Sequence, residues 1–357
     1  MNATAGETTR VSRLTPPGRA AVAVVGVMGP AAVPLVDAEF RAANGRALDR
    51  QVVNRICFGT WADGGEELIV VRRGEDRVEV HCHGGQASVR QVIDSLVRRG
   101  AQEVPWIDWL RQTATDQVAA DATIALAQAR TFKSAAILLD QQRGALSTAL
   151  ATLHELIANR QRRPAIELTS QLLAWSPLGL HLTESWKVAL CGRPNVGKSS
   201  LLNALVGYER AIVFDQPGTT RDVVTAWTAL DGWPVELSDS AGLRDASDAL
   251  EQAGVGLAAR HVREVDLRVL VVDSGAGLTD ADRRLLDAIG PELVACNKCD
   301  LGDGGLEPMV HEARVVPTSA ITGEGLDALT AAITALLVPA APGAGAAVPF
   351  TLAQQTM

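Results

Sequence analysis

The stretch VALCGRPNVGKSSLL, residues Val188 to Leu202, decides the fold of this chain. Its apolar start, Val188 to Leu190, reads as a short buried strand, and Leu201, Leu202 and Leu205 follow at helical spacing. Between them lies Gly192-x-x-x-x-Gly197-Lys198-Ser199, so the order is strand, phosphate loop, helix. The glycines let backbone N–H groups crowd around phosphate oxygens, and the new helix turns its positive end toward them. Lys198 then reaches the outer phosphates and the Ser199 hydroxyl ligates magnesium, with Asn195, Val196, Gly197 and Ser200 in the same cofactor-binding loop. By itself the loop implies a nucleoside triphosphate and nothing narrower.

Stretches farther along narrow the ligand to GTP with Mg2+. Asn297-Lys298-Cys299-Asp300 follows the apolar run Leu293 to Cys296, a strand end where the Asp300 carboxylate can accept both N–H donors of a guanine edge. Adenine lacks that pair, so a buried Asp300 would be left unpaired by the wrong base. Ser319-Ala320, after Arg314 to Pro317, fits a backbone loop against the same base. Asp239-Ser240-Ala241-Gly242, at the end of Val235 to Ser238, supplies a carboxylate for the magnesium shell and a glycine N–H for the terminal phosphate. Gly218-Thr219-Thr220-Arg221-Asp222 lies between this stretch and the phosphate loop, where a switch segment offers a threonine to magnesium.

The 357 residues have room for two or three domains, and 47% hydrophobic with 21% charged residues is a globular composition. No run approaches the ~20 apolar residues of a membrane span, and MNATAGETTR lacks the regions of a secretory signal, so the expected location is cytoplasmic. Five scattered cysteines (Cys57, Cys82, Cys191, Cys296, Cys299) fit reduced thiols better than a disulfide framework. His81-Cys82-His83 alternates along a strand, two histidines to one face and the cysteine to the other, which favours a polar strand end over a metal site. A net charge of −8 gives no overall attraction for nucleic acid, which argues against DNA and confines any RNA contact to a local patch.

Along the chain, Val22 to Val27, Ile56 to Trp61, Leu68 to Arg72 and Val78 to His83 read as strands of a small α/β unit. A helix over Ala87 to Arg99 has its apolar face at Val89, Val92, Ile93, Leu96 and Val97, so HCHGG sits at a strand-to-helix junction. From about Thr113 to Leu173 the pattern is nearly continuous helix, predicting an antiparallel bundle or a dimer surface. Arg160, Arg162 and Arg163 with Arg130 and Lys133 form its one basic cluster, read as a solvated helix end. Ser176-Pro177-Leu178-Gly179 reads as a boundary, after which alternating strands and helices predict a mostly parallel sheet with helices on both faces. The final helix is Gly325 to Leu337; PAAPGAGAAVP then reads as a flexible linker and FTLAQQTM as a short end that docks or hangs free.

With these stretches in hand, the chain resembles the tRNA modification GTPases called MnmE or TrmE. Thr15-Pro16-Pro17-Gly18-Arg19, Val78-Glu79-Val80 with HCHGG, and Gly144-Ala145-Leu146-Ser147 look like that family's segments, as do GTTRD and DSAGLR, and the resemblance covers roughly Arg10 to Val338. It implies an N-terminal folate-binding-type domain that dimerises (10–112), a helical domain (113–181) and a G domain (186–338), followed by a linker and tail (339–357). Family members, with an FAD-dependent partner, modify the wobble uridine of certain tRNAs, and their G domains dimerise through the switches around a potassium ion.

Carried over residue by residue, the resemblance gives each part a role. Many small GTPases orient the attacking water with a glutamine after the glycine of DxxG, but here that position is Leu243, which cannot hydrogen-bond. Glu251, nine residues past Gly242, matches the family's catalytic glutamate, a general base acting through an intervening water, beside Lys198 and Thr220. Asn195 and Thr219 match potassium ligands and Thr220 the magnesium-side threonine, while Phe214 and Gln216-Pro217 depart from the potassium-loop pattern. The family's folate site uses an arginine where this chain has Gly26, a lysine where it has Gln117, and basic residues near the C-terminus that are missing; only Glu79 is retained. An anionic folate needs positive partners, so folate binding is expected to be weakened or lost. The terminal Cys-Ile-Gly-Lys is also missing. Two functions follow: a GTPase driving wobble-uridine modification as a homodimer, or a regulatory GTPase that keeps the nucleotide switch and reports through a protein or ribosome partner.

Overall fold

A computed structural model describes residues 8–18, 20–62, 65–208, 224–239, 265–302, 309–310 and 313–356. The chain divides into two compact units, Met1–Ala120 and Asp121–Met357.

The first unit is a sheet backed by helices. Its elements are β1 (Arg10–Arg13), β2 (Val22–Met28), α1 (Ala32–Glu39), β3 (Phe40–Ala42), β4 (Ile56–Trp61), β5 (Glu67–Arg72), β6 (Arg77–His83), α2 (Gln86–Arg98), β7 (Gln102–Glu103) and α3 (Trp106–Thr113). Strand order is β3-β4-β5-β6-β2-β1-β7, antiparallel except for β1 beside β7. Alternation sets the inner face: Val25 and Val27 of β2, Val70 of β5 and Val78 and Val80 of β6 pack with Val36 of α1 and Val92, Ile93 and Leu96 of α2. Trp61 is buried among them and donates its indole N–H to Ser95 Oγ at 3.0 Å. The four strands and the helix expected here are present with ends shifted by at most one residue, although Val97 is exposed rather than in the core.

The second unit begins in a helical segment. α4 (Gln117–Leu126) leads by sequence into α5 (Phe132–Gln142), α6 (Ala145–Ala158) and α7 (Arg162–Leu180). The expected boundary at Ser176 to Gly179 is helix instead: α7 runs through Pro177, which stands in its last turn, where buried Leu172, Ser176 and Leu178 hold it. The basic cluster is not one solvated helix end. Lys133 Nζ bonds the Asp231 carbonyl at 2.6 Å and carboxylate at 2.9 Å and lies 5.3 Å from the Trp233 ring centre, and Arg130 sits over Trp227.

After α7 come β8 (Trp186–Cys191), α8 (Lys198–Tyr208), β9 (Val224–Leu230), β10 (Trp233–Asp239), β11 (Leu267–Asp273), α9 (Asp280–Ile289), β12 (Leu293–Asn297), β13 (Met309–Val310), β14 (Ala313–Pro317), α10 (Leu326–Leu337) and α11 (Leu352–Gln355). The sheet order is β13-β14-β12-β11-β8-β10-β9, parallel apart from its two edge strands. Val269, Leu270, Val271 and Val272 are all fully buried, so both faces are covered, as in parallel sheets generally. From central β8 the chain goes to β9 and β10 on one side and then to β11 on the other, and the crevice at such a reversal lies beyond the C-terminal strand ends.

The linker expected to be flexible is packed, and the short end after it docks. Gly345 N–H donates to Asp140 at 2.8 Å, Gln141 binds both the Ala346 carbonyl (3.0 Å) and the Val348 N–H (3.1 Å), and Gln355 reaches the Ser176 carbonyl at 2.8 Å. Val348 and Phe350 are 0% and 4% exposed. A Cβ at Gly179 would overlap the Pro349 carbonyl, so glycine is what admits the tail. Burying two such side chains contributes about 1.5–3 kcal/mol each. Deleting residues 345–357 is therefore expected to lower the thermal midpoint by roughly 5 °C or more; an unchanged midpoint in a calorimetric scan would contradict this seat.

Candidate nucleotide site

The site grows from the turn between β8 and α8. Gly192, Asn195 and Gly197 have φ of 147°, 66° and 94°, a run of conformations that leaves backbone N–H groups facing inward and carbonyls outward. Those carbonyls need donors. Lys198, 5% exposed, bonds the Gly192 and Arg193 carbonyls at 3.0 and 2.8 Å. Asn297 Nδ2 donates to the Val196 carbonyl at 2.9 Å, and Lys298 Nζ donates to the Asn195 carbonyl at 2.9 Å. A Cβ at Gly197 would overlap the Asn297 amide, so only glycine lets this clamp close.

The clamp extends to the base loop. Asn297 Oδ1 accepts the Ala320 N–H at 3.1 Å, and the Cys299 N–H donates to the Thr318 carbonyl at 3.0 Å. Ser319 is fully buried and its hydroxyl accepts the Thr322 N–H at 3.1 Å. Asp300 differs from expectation: it is exposed, at a short 3-10 turn (Cys299–Leu301), so any discrimination by burial must come from the base that covers it. Asp273, passed over in the sequence, ends β11 in register with Asn297 and takes Lys298 Nζ at 2.6 Å, which holds its carboxyl below the ordinary aspartate value. Its position at a strand end beside Asn297 was the available signal.

The magnesium corner is also assembled. Ser199 Oγ donates to Asp239 Oδ2 at 2.5 Å, and Asp239 is 1% exposed at the end of β10. A hydroxyl and a carboxylate at this spacing are oxygen ligands of the kind a hard divalent cation takes, so these residues fit Mg2+. Asn195 and Ser200 lie on the same loop and first helical turn. Thr219, Thr220, Gly242 and Glu251, with Phe214, Gln216, Pro217 and Leu243, lie outside the described residues.

In the first unit the positions carried over for folate each have protein partners of their own. A Cβ on Gly26 would stand 2.6 Å from Trp109 Cζ2 and 2.9 Å from Leu14 Cδ1, so the position has no room for a longer side chain. Glu79 already holds Arg73 at 2.8 Å; burial pushes its carboxyl up, but that guanidinium outweighs it and holds the group low. Gln117 bonds the Arg111 carbonyl at 2.9 Å. Around HCHGG, Cys82 faces inward, where burial pushes its thiol up to about 11, and the His83 ring contacts Glu66. Among the described residues no group of three or more His, Cys, Asp and Glu side chains could hold a metal ion.

Replacing Asn297 with alanine removes both ends of the bridge, each worth about 0.5–1.5 kcal/mol. Affinity for GDP and GTP is expected to fall roughly 10-fold in a fluorescent-nucleotide titration of Asn297→Ala; unchanged affinity would show that the bridge does not shape the loop.

Comparison with known proteins agrees with this geometry. Residues 187–298 match the family described as 50S ribosome-binding GTPase, and residues 9–104 match the GTP-binding protein TrmE N-terminus. The tRNA modification GTPase MnmE of Symbiobacterium thermophilum is 34% identical over 92% of this chain and 82% of its own length. The MnmE proteins of Moorella thermoacetica and Enterococcus faecalis are each 32% identical, over 88% and 90% of this chain and 79% of their own lengths. With a phosphate loop, a guanine-type base loop and a magnesium corner on one parallel sheet, and relatives matching both units, the chain belongs to the MnmE family of tRNA modification GTPases.

Proposed function

We propose that this protein binds GTP with Mg2+, hydrolyses it, and uses the cycle to drive wobble-uridine modification of tRNA. The observation that carries the nucleotide half is the clamp of Asn297, Lys298 and Lys198 on the loop carbonyls, beside the Ser199–Asp239 corner. The tRNA half rests on relatives at 32–34% identity spanning most of both chains. Membership in that family also supports a cytoplasmic homodimer working with an FAD-dependent partner. In this reading Glu251 is the general base, since Leu243 cannot hold the water. Ser199, Asp239 and Thr220 would hold the magnesium, which would supply positive charge to the phosphates; Lys198 would add its own, the Asp300 carboxylate would read the base, and the Gly242 N–H would meet the terminal phosphate. Asn195 and Thr219 would hold potassium if that ion is used.

A second reading has its own observation. Trp109 packs against Gly26, where the family has an arginine, and Arg73 is taken by Glu79, which supports a regulatory GTPase that has kept the switch without the folate-dependent chemistry. Turnover of the purified full chain in potassium and in sodium, with Glu251→Ala alongside, separates the two. The modification reading expects potassium-stimulated hydrolysis that falls at least ~100-fold in the variant. Cation-blind turnover untouched by the variant would sink it and leave the regulatory reading.

A further inference from the structure

The phosphate loop has another mooring, one that touches neither base loop nor magnesium corner. Arg193, the second residue of the loop, donates its Nε–H to Asp282 Oδ1 at 2.8 Å. Asp282 is the third residue of α9, 89 positions away in sequence, and is 0% exposed. Its other oxygen accepts the Thr279 hydroxyl at 2.6 Å and the Thr279 N–H at 3.1 Å, while its own N–H returns to Thr279 Oγ1 at 3.3 Å. That reciprocal set already caps α9. Capping requires no arginine, and burying a carboxylate costs several kcal/mol unless charge and hydrogen bonds compensate it. The Arg193 contact thus offsets the buried charge rather than making the cap.

Its value lies at the other end of the residue. The Arg193 carbonyl is one of the two acceptors that hold Lys198 Nζ, at 2.8 Å. One residue therefore joins a buried anchor on α9 to the cation that meets the phosphates. The pair also matters for charge: of the two cations in GRPNVGKSS, Arg193 is neutralised by Asp282, which leaves Lys198 to face the ligand.

We infer that the Arg193–Asp282 ion pair is a positioning device for the phosphate loop, fixing the carbonyl that aims Lys198 and so setting affinity for the β- and γ-phosphates. Burial pushes the Asp282 carboxyl up, but Arg193 and Thr279 outweigh it and hold the group below the ordinary aspartate value, consistent with a charged pair. A positioning role predicts an effect graded by phosphate number. A loss of folded protein would scale all nucleotides alike.

The test rests on the GTPase reading and measures competition by GMP, GDP and GTP against a fluorescent guanine nucleotide on the full chain. Asp282→Asn removes the charge; Arg193→Met with Asp282→Leu removes both charges and leaves no lone ion buried. In both, GDP and GTP affinity should fall about 10-fold while GMP affinity holds, narrowing the GDP-to-GMP ratio by the same factor. A wild-type ratio in Asp282→Asn overturns the inference. So does a narrowed ratio there that the double variant restores, because the defect would then be the unpaired charge. Failure of the unaltered chain to bind GDP would instead strike the nucleotide reading itself.

Discussion

A loop that turns its N–H groups toward phosphate must turn carbonyls away from it, and each of those needs a donor. Here the carbonyls of Gly192, Arg193, Asn195 and Val196 are taken by three side chains, Lys198, Lys298 and Asn297. Two of the three come from the strand end at Asn297. The sheet makes this affordable in geometry: β11 lies between β8 and β12, and its Asp273 fixes Lys298 in reach of the loop. Nucleotide recognition and fold are thus one hydrogen-bond system. The same Asn297 that supports the loop also carries the Ala320 N–H of the base loop.

The two units each match the family and differ in how their polar groups are used. In the nucleotide unit Ser199 and Asp239 are in contact beside the clamped loop. The sheet of the first unit keeps its architecture and its match to the TrmE N-terminus, yet Trp109 fills the space over Gly26 and Arg73 neutralises Glu79. A packed tail likewise occupies a groove beside Gly179.

Elements buried on both faces were the easiest to read. VALC and LVAC are apolar without interruption because both sides of a parallel sheet are covered, and their strands begin and end close to where the runs do. Short or context-dependent pieces were not: α1 is eight residues with no side-chain cap, and α3 shows its purpose only when Trp109 is found against Gly26. Pro177 and the Pro/Ala/Gly tail carried breaker and linker composition, but long-range burial of Leu178, Val348 and Phe350 overrode it. Asn297 was legible as a base contact and its hold on Val196 was not, since a contact between residues 101 apart leaves no local trace. The Arg193–Asp282 pair is hidden for the same reason.

The central claim is that a guanine edge is read by Asp300 on a loop that Asn297 ties to the phosphate cradle. The most direct measurement is competition between GTP and xanthosine triphosphate for the unaltered chain and for Asp300→Asn. Xanthine presents a carbonyl where guanine presents an amino group, so an amide at position 300 matches it as the carboxylate matches guanine. The account predicts a preference for GTP that inverts toward xanthosine triphosphate by roughly 100-fold or more in the variant. An unchanged preference, or equal binding of ATP by the unaltered chain, would contradict it.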